Sequence, residues 1–178
     1  MTKKSIITLF LIALFLTSCG TRRTTIQNPA TYDVGVVING VRWATRNVDA
    51  PGTFAKNPES AGNHFTWYRA QNACPQGWRV PTREELQSLS NTDSEWTTKN
   101  GINGRLFGIT PNQIFLPAAG WRNNGNGAPF NIGVWGYYWS STQSNTANAM
   151  DLPIGIRSNF VGSSNRANGY SVRCVSIN

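Results

Sequence analysis

Apolar and polar residues alternate where the predicted domain begins. Val34, Val36 and Ile38 hold alternate positions, the pair Asn39-Gly40 follows, and a second alternating run starts at Val41. Alternation with a period of two is typical of a half-buried strand. An Asn-Gly pair between two such runs is the strongest short-range signal for a hairpin. The pattern predicts a β-hairpin that turns at Asn39-Gly40.

One segment has a helical pattern with a clear start. Thr82 is followed three residues later by Glu85, the spacing of a capping box, and Leu86 and Leu89 then share one helical face. The sequence predicts a helix that begins after Thr82. Residues 92–113 are rich in Asn, Gly and Thr, which predicts short turns.

The rest of the chain has the pattern of strands joined by long loops. Leu152, Ile154 and Ile156 alternate, which predicts that all three point inward. The predicted strands are residues 114–119, 134–141, 147–152, 154–160 and 169–176.

The N-terminus has the pattern of an export signal. Lys3 and Lys4 precede an apolar run over residues 6–16, which spans about 16 Å as a helix, too short for a bilayer core of roughly 30 Å. Residues 16–20 (Leu-Thr-Ser-Cys-Gly) resemble the lipobox of bacterial lipoproteins. This predicts a signal peptide over 1–18, lipid attachment at Cys19, and a membrane as partner through that lipid. Residues 19–31 are predicted to be a lipidated flexible tether, and residues 32–178 one domain.

Charge and composition narrow the possible partners. The chain has sixteen Lys and Arg against eight Asp and Glu, so loss of Lys3 and Lys4 with the signal leaves a net charge of +6. The cations are scattered, whereas nucleic-acid binders usually gather them on one stripe, so no nucleic-acid partner is expected. Weak attraction to acidic glycans and a solvated surface without a partner both stay open.

Candidate catalytic chemistry is sparse. The only histidine is His64, and neither a zinc-ligand cluster nor a Gly-x-Ser-x-Gly motif occurs, so we expect no metal, no cofactor and no enzyme activity. Cys74 and Cys174 are expected to form a disulfide in an oxidising envelope, with two buried free thiols as the alternative. The seven tryptophans either fill the core or offer stacking platforms.

Five motifs in order resemble one family. They are residues 39–47 (Asn-Gly-Val-Arg-Trp-Ala-Thr-Arg-Asn), 74–82 (Cys-Pro-Gln-Gly-Trp-Arg-Val-Pro-Thr), 116–122 (Leu-Pro-Ala-Ala-Gly-Trp-Arg), 136–142 (Gly-Tyr-Tyr-Trp-Ser-Ser-Thr) and 171–175 (Ser-Val-Arg-Cys-Val). Together they resemble the Fibrobacter succinogenes major paralogous domain, found in envelope lipoproteins and secreted proteins of Bacteroidetes and relatives. The resemblance covers residues 33–176. It implies an α+β, loop-rich, C-type-lectin-like domain with antiparallel strands, one or two short helices, and adjacent first and last strands.

The resemblance also implies a class of function. We expect a cell-envelope lipoprotein, anchored at the outer membrane, with a non-catalytic domain that binds an extracellular glycan or protein and acts in adhesion. The alternatives are a structural, tip or accessory subunit of a surface appendage and an enzyme of the formylglycine-generating type. The calcium-binding triplets of sugar-binding C-type lectins (Glu-Pro-Asn, Gln-Pro-Asp and Trp-Asn-Asp) do not occur here, so calcium-dependent sugar binding is not implied.

The candidate binding surface lies near the C-terminus. Residues 143–168 are rich in Asn, Ser and Gly and resemble the variable segment of C-type-lectin-like proteins diversified by retroelements; the alternative is an ordinary solvated loop. Strands and loops that carry Tyr, Asn and Arg are typical of adaptable binding surfaces. The predicted binding residues are Tyr137, Asn145, Asn148, Asn159, Phe160, Asn165 and Arg166.

Overall fold

The structure is a computed structural model that describes residues 28–177. The predicted signal peptide and Cys19 lie outside the described residues. Strands dominate the described part, with two short helices between them. In chain order the elements are β1 (Val36–Ile38), β2 (Val41–Asn47), α1 (Trp67–Ala70), β3 (Trp78–Arg79), α2 (Arg83–Ser90), β4 (Ser94–Lys99), β5 (Ile102–Ile109), β6 (Asn112–Pro117), β7 (Trp121–Arg122), β8 (Pro129–Phe130), β9 (Trp135–Gln143), β10 (Asn148–Gly155), β11 (Gly162–Asn165) and β12 (Arg173–Ser176).

The strands form several small sheets in which every named pair of strands is antiparallel. Their orders are β1-β2-β12-β3, β11-β10-β9, β4-β5-β6 and β7-β8. The last strand, β12, pairs with β2 through Arg173 opposite Asn47 and Val175 opposite Trp43. The prediction of antiparallel strands with few short helices is therefore confirmed, as is the adjacency of the N- and C-terminal strands.

Both strong local predictions are confirmed. Asn39 and Gly40 have φ values of 51° and 79°, the positive values that a type I′ hairpin turn requires, and β1 pairs with β2 across them. Helix α2 begins at Arg83 with a complete capping box between Thr82 and Glu85. Local hydrogen bonding decides both features, so a few residues suffice to predict them.

Two other predictions are wrong. Residues 92–113 contain the strands β4 and β5, which pair from Ser94 opposite Phe107 to Lys99 opposite Ile102. Strand β10 ends at Gly155, so no continuous strand covers 154–160. Ile156 lies beyond that end and is 66% exposed, not inward as predicted, because the chain bends so that the Gly155 amide donates to the Ser158 carbonyl.

Two hydrophobic clusters form the core. One contains Trp139, Tyr170 and Cys174 together with the two helix α1 residues Trp67 and Ala70. The other is built around Trp43, Tyr138 and the α2 leucines. Trp43, Trp67 and Trp139 are buried, whereas Trp78, Trp96, Trp121 and Trp135 are partly exposed. Only three of the seven tryptophans are thus buried in the core, and the other four keep part of their side chains exposed to solvent.

The predicted disulfide is confirmed. Cys74 and Cys174 are bonded, with their Cα atoms 6.0 Å apart and a sequence separation of 100. The bond ties the loop that precedes β3 to the last strand. Loop closure on this scale contributes about 4.7 kcal/mol to stability in the chain-entropy model.

Candidate functional site

One face of the β11-β10-β9 sheet is open to solvent along part of its length. Side chains on a strand alternate between faces, and β10 pairs with β9 through Asp151 opposite Trp139 and Pro153 opposite Tyr137. These residues share a face, which bears a shallow cleft of about 270 Å³. We call it the aromatic cleft; its lining residues are Trp135, Tyr137, Asp151, Pro153, Phe160, Gly162, Ser163 and Ser164.

Packed aromatic rings form one wall of the aromatic cleft. The ring of Tyr137 lies 4.9 Å from Tyr170 and 6.2 Å from Trp135, measured between ring centroids. Tyr170 in turn stacks on Trp139 at 4.3 Å, and the Trp139 indole Nε1 donates to the Phe65 carbonyl at 2.7 Å. The wall is held in place by core packing, so its ring faces are preorganised.

Gly155 allows Trp135 to lie flat at the end of the cleft. Gly155 is paired opposite Trp135 across β9 and β10. A Cβ atom at position 155 would meet the indole at 2.9 Å, closer than such contacts normally occur. The indole therefore covers the glycine and leaves part of its ring accessible.

A buried carboxylate lies beneath the rings. Asp151 is fully buried; its Oδ2 accepts a hydrogen bond from the Ser164 hydroxyl at 3.1 Å, and its Oδ1 has no hydrogen-bond partner in the described chain. Burial raises the pKa of Asp151 to about 7, and the Ser164 hydrogen bond only partly offsets this. An unsatisfied buried carboxylate oxygen is costly, so a hydroxyl or amide donor that reached Oδ1 would recover part of that cost.

The phenols beside Asp151 respond to the same environment. Burial raises the pKa of Tyr137 and the pKa of Tyr170, and the nearby Asp151 charge adds to both effects. Both side chains therefore stay neutral hydroxyls through the physiological range and can donate or accept hydrogen bonds. The aromatic cleft combines ring faces, hydroxyls and one carboxyl group.

The structure places two of the predicted binding residues in the aromatic cleft. Tyr137 forms its wall and Phe160, 52% exposed, forms its rim. Asn145 and Asn165 are exposed, but their side-chain oxygens accept backbone N–H groups of the next residues at 2.9 Å. Asn148 is partly buried and pairs with Asn165 across β10 and β11. These three asparagines shape the turns beside the sheet and leave their amide N–H groups for other contacts.

Two predicted binding residues, Asn159 and Arg166, contact helices instead of lying on an exposed binding face. Asn159 is bound to helix α2: its amide donates to the Ser90 carbonyl at 2.8 Å, and the Ser90 hydroxyl donates to the Asn159 carbonyl at 2.9 Å. Arg166 is only 9% exposed, with its guanidinium over the rings of Trp67 and Tyr68. The expectation that Arg166 is freely exposed is wrong, because its side chain packs against two aromatic residues of helix α1.

Sequence reasoning missed Asp151, Trp135 and Ser164. Asp151 is a lone acid in an apolar run, and no carboxylate spacing marks it. Its meaning comes from strand register, which sets it opposite Trp139 on β9 and Gly162 on β11. The alternation of Leu152 and Ile154 predicts that Asp151 points outward, so the sequence carried no signal of its burial.

Other chemistry-bearing residues lie apart from the aromatic cleft. Burial lowers the pKa of His64, whose Nε2 is enclosed. Within residues 28–177 no group of three or more His, Cys, Asp or Glu side chains is arranged to hold a metal ion. No helix in that same range has the length and apolar character needed to cross a membrane.

Comparison with known proteins identifies the family. No curated protein and no solved structure matches the chain. The family model of the Fibrobacter succinogenes major domain matches residues 41–176, most of the 178-residue chain and all of the site described above. The resemblance noted from the five motifs is confirmed, and the chain belongs to the Fibrobacter succinogenes major domain family.

Proposed function

We propose that this protein is a lipid-anchored envelope protein whose domain binds an extracellular glycan, without catalysis, in the aromatic cleft. One observation carries the proposal: a buried Asp151 carboxylate with an unpartnered oxygen lies beneath the accessible rings of Trp135, Tyr137 and Phe160. Polar groups buried without partners are rare in native proteins and call for an explanation. A ligand that supplies the missing donor is such an explanation.

The chemistry of the aromatic cleft favours a sugar. Sugar rings carry apolar C–H faces that pack on aromatic rings, while their hydroxyls donate to carboxylates. Exposed aromatic side chains give contact area at low entropic cost. A protein ligand would need a larger flat surface, since stable protein interfaces bury about 800 Å² on each partner.

The absence of catalysis is part of the proposal. A formylglycine-generating mechanism needs a reactive thiol, whereas Cys74 and Cys174 are joined, with Cys174 fully buried. Disulfide-bonded, buried sulfurs are inert compared with exposed thiolates. This supports a binding role over the enzyme alternative.

The cellular setting is likewise proposed. The lipobox at residues 16–20 supports export, lipidation at Cys19 and an outer-membrane location. A C-type-lectin-like arrangement is compatible with the pairing of the last strand, β12, with β2 of the N-terminal hairpin. We further propose that residues 143–168 vary among relatives, as in retroelement-diversified receptors, because the loops there can change without disturbing the Cys174 core.

Binding to a glycan array tests the proposal. The purified full chain is compared with Trp135→Ala and Asp151→Asn, and with Trp96→Ala as control, since Trp96 is also partly exposed but lies on β4 in another sheet. We expect binding that Trp135→Ala and Asp151→Asn each weaken at least about tenfold, or about 1.4 kcal/mol, and that Trp96→Ala preserves. Binding that all three variants retain would place the site elsewhere, and no glycan binding by the wild type would reject the proposed function.

A further inference from the structure

Arg166 holds an unusual position beside the aromatic cleft. Its guanidinium carbon lies 5.2 Å from the Trp67 ring centroid and 5.0 Å from that of Tyr68. Trp67 is buried and Tyr68 is 63% exposed. The cation is therefore held between a core ring and a surface ring, an arrangement that fixes its orientation.

The donors of Arg166 are not used within the described chain. By contrast, the fully buried Arg173 donates to Asn47, Ala44 and Phe115 at 2.9 to 3.1 Å. Among residues 28–177 the ion pairs involve Arg46, Arg79, Arg83 and Lys99, and no side-chain hydrogen bond or ion pair includes Arg166.

The free donors of Arg166 can be reached from the surface. Fully enclosed polar atoms without partners include Arg105 Nε but no atom of Arg166, so its guanidinium nitrogens touch solvent. A guanidinium has five N–H donors in a planar fork that matches a carboxylate or sulfate. A fixed, accessible and unused fork is the geometry of an anion subsite.

Core packing relates Arg166 to the aromatic cleft. Arg166 follows the last residue of β11 and lies over Trp67, which belongs to the same core cluster as Trp139, and the Arg166 amide donates to the Ala147 carbonyl at 3.0 Å. Ala147 precedes Asp151 by four residues, or about 14 Å along an extended chain. The sheet thus has an acceptor at Asp151, midway along β10, and a cation at Arg166, just beyond the end of β11.

This separation lets both groups act on one extended ligand. Tyr170, which stacks on Trp139 and belongs to the same core cluster as Trp67, connects the rings under Arg166 with the wall of the aromatic cleft.

Building on the proposed glycan-binding function, we infer that Arg166 is an anion subsite and that the glycan is acidic, with its carboxylate or sulfate paired to the Arg166 guanidinium and a neutral sugar in the aromatic cleft. The fork geometry suits both anions, and the two differ in the pH at which they lose their charge. An acidic protein segment is the competing partner.

The test uses the purified full chain on an array that pairs neutral oligosaccharides with their uronic-acid, sialylated and sulfated counterparts and includes Asp- and Glu-rich peptides. We expect the wild type to prefer acidic glycans at least about tenfold. Arg166→Gln should remove that preference and leave binding to neutral members unchanged. Arg166→Lys keeps the positive charge but lacks the planar fork of donors, so it should retain part of the preference for acidic glycans. Arg69→Gln, an exposed arginine next to Tyr68, should change nothing.

The outcomes separate the two proposals. Equal binding of neutral and acidic members, unchanged by Arg166→Gln, would overturn the anion subsite and leave the glycan-binding function intact. Stronger binding to the acidic peptides than to any glycan would overturn the choice of glycan. No binding to any glycan would overturn the function itself. Thermal unfolding of each variant identifies losses of binding that are caused by misfolding. If Arg166→Gln does not fold, the preference of Arg166→Lys for acidic over neutral glycans tests the anion subsite instead.

Discussion

Tyr137 and Tyr138 are neighbours in the chain, yet they lie on opposite faces of the β11-β10-β9 sheet. Tyr138 is fully buried among Leu152 and Ile154, and its hydroxyl donates to the Pro117 carbonyl at 2.7 Å. Tyr137 is partly exposed and lies on the same face as Asp151, whose Oδ1 lacks a partner. One face satisfies its polar groups internally; the other does not.

The difference between the two faces shows what separates a core from a binding site here. Both faces are rich in aromatic residues, so composition does not distinguish them. A hydrogen bond to an internal carbonyl makes Tyr138 part of the scaffold, because a buried donor must be satisfied. In the proposed function, the unpartnered oxygen of Asp151 marks the face to which the ligand binds.

The first prediction compares the two tyrosines directly. Tyr138→Ala should lower the free energy of unfolding by about 3–5 kcal/mol, the usual cost of truncating a buried aromatic residue. Tyr137→Ala should cost less than about 2 kcal/mol, because its ring is already partly hydrated. Urea denaturation measures both. Equal costs would mean that the two faces are both core.

The second prediction concerns the disulfide that supports the scaffold. Replacing both cysteines, as Cys74→Ala with Cys174→Ala, should lower stability by about 2–5 kcal/mol. Neither cysteine lines the aromatic cleft, so the folded fraction should bind glycan as the wild type does. The checks are chemical denaturation and binding at a temperature where the variant stays folded; lost binding by a folded variant would show that the aromatic cleft depends on this bond.

The third prediction concerns pH. Because the pKa of Asp151 is raised from 3.8 to about 7, the native state holds this proton more tightly than the unfolded chain. The contribution of Asp151 to the free energy of unfolding is therefore at its maximum below about pH 4 and is lost as pH rises to about 7. At about 1.4 kcal/mol per pH unit, the loss should be about 2–4 kcal/mol.

Asp151→Asn provides the control for this pH dependence. The pKa of His64 is lowered by burial, so its contribution to the free energy of unfolding increases as pH rises. The pKa of Glu85 is lowered chiefly by its hydrogen bond with Arg79, so its contribution also increases with pH, but in a lower pH range. Both effects persist in the variant, so the difference between the two unfolding profiles isolates Asp151. Parallel profiles would show that its carboxyl is solvated in the native state.

Local signals made part of the fold predictable. The hairpin at Asn39-Gly40 and the capping box at Thr82 are specified by residues close in sequence, and both were predicted. Strands β4 and β5 were missed because β4 is an edge strand of mostly polar residues, and its structure depends on pairing with β5 rather than on its own pattern.

The candidate site was predictable only in part. Tyr137 and Phe160 were predicted because Tyr and Phe supply contact area at low entropic cost, and both line the aromatic cleft. Asp151 could not be found, since its role depends on strand register and on burial. Asn159 and Arg166 look like surface residues in the sequence, but contacts with Ser90 and with Trp67 and Tyr68 determine their positions.

The most direct test of the central claim compares two exposed apolar residues on the same segment. Phe160 lines the aromatic cleft, whereas Ile156, at 66% exposure, does not. Binding of the glycan that binds best on the array is measured by isothermal titration calorimetry. Phe160→Ala should weaken the binding free energy by about 1–2 kcal/mol, and Ile156→Ala should leave it unchanged. Both variants should have melting temperatures close to that of the wild type. Equal affinity of Phe160→Ala and wild type, or an equal loss in both variants, would contradict the assignment of the aromatic cleft as the binding site.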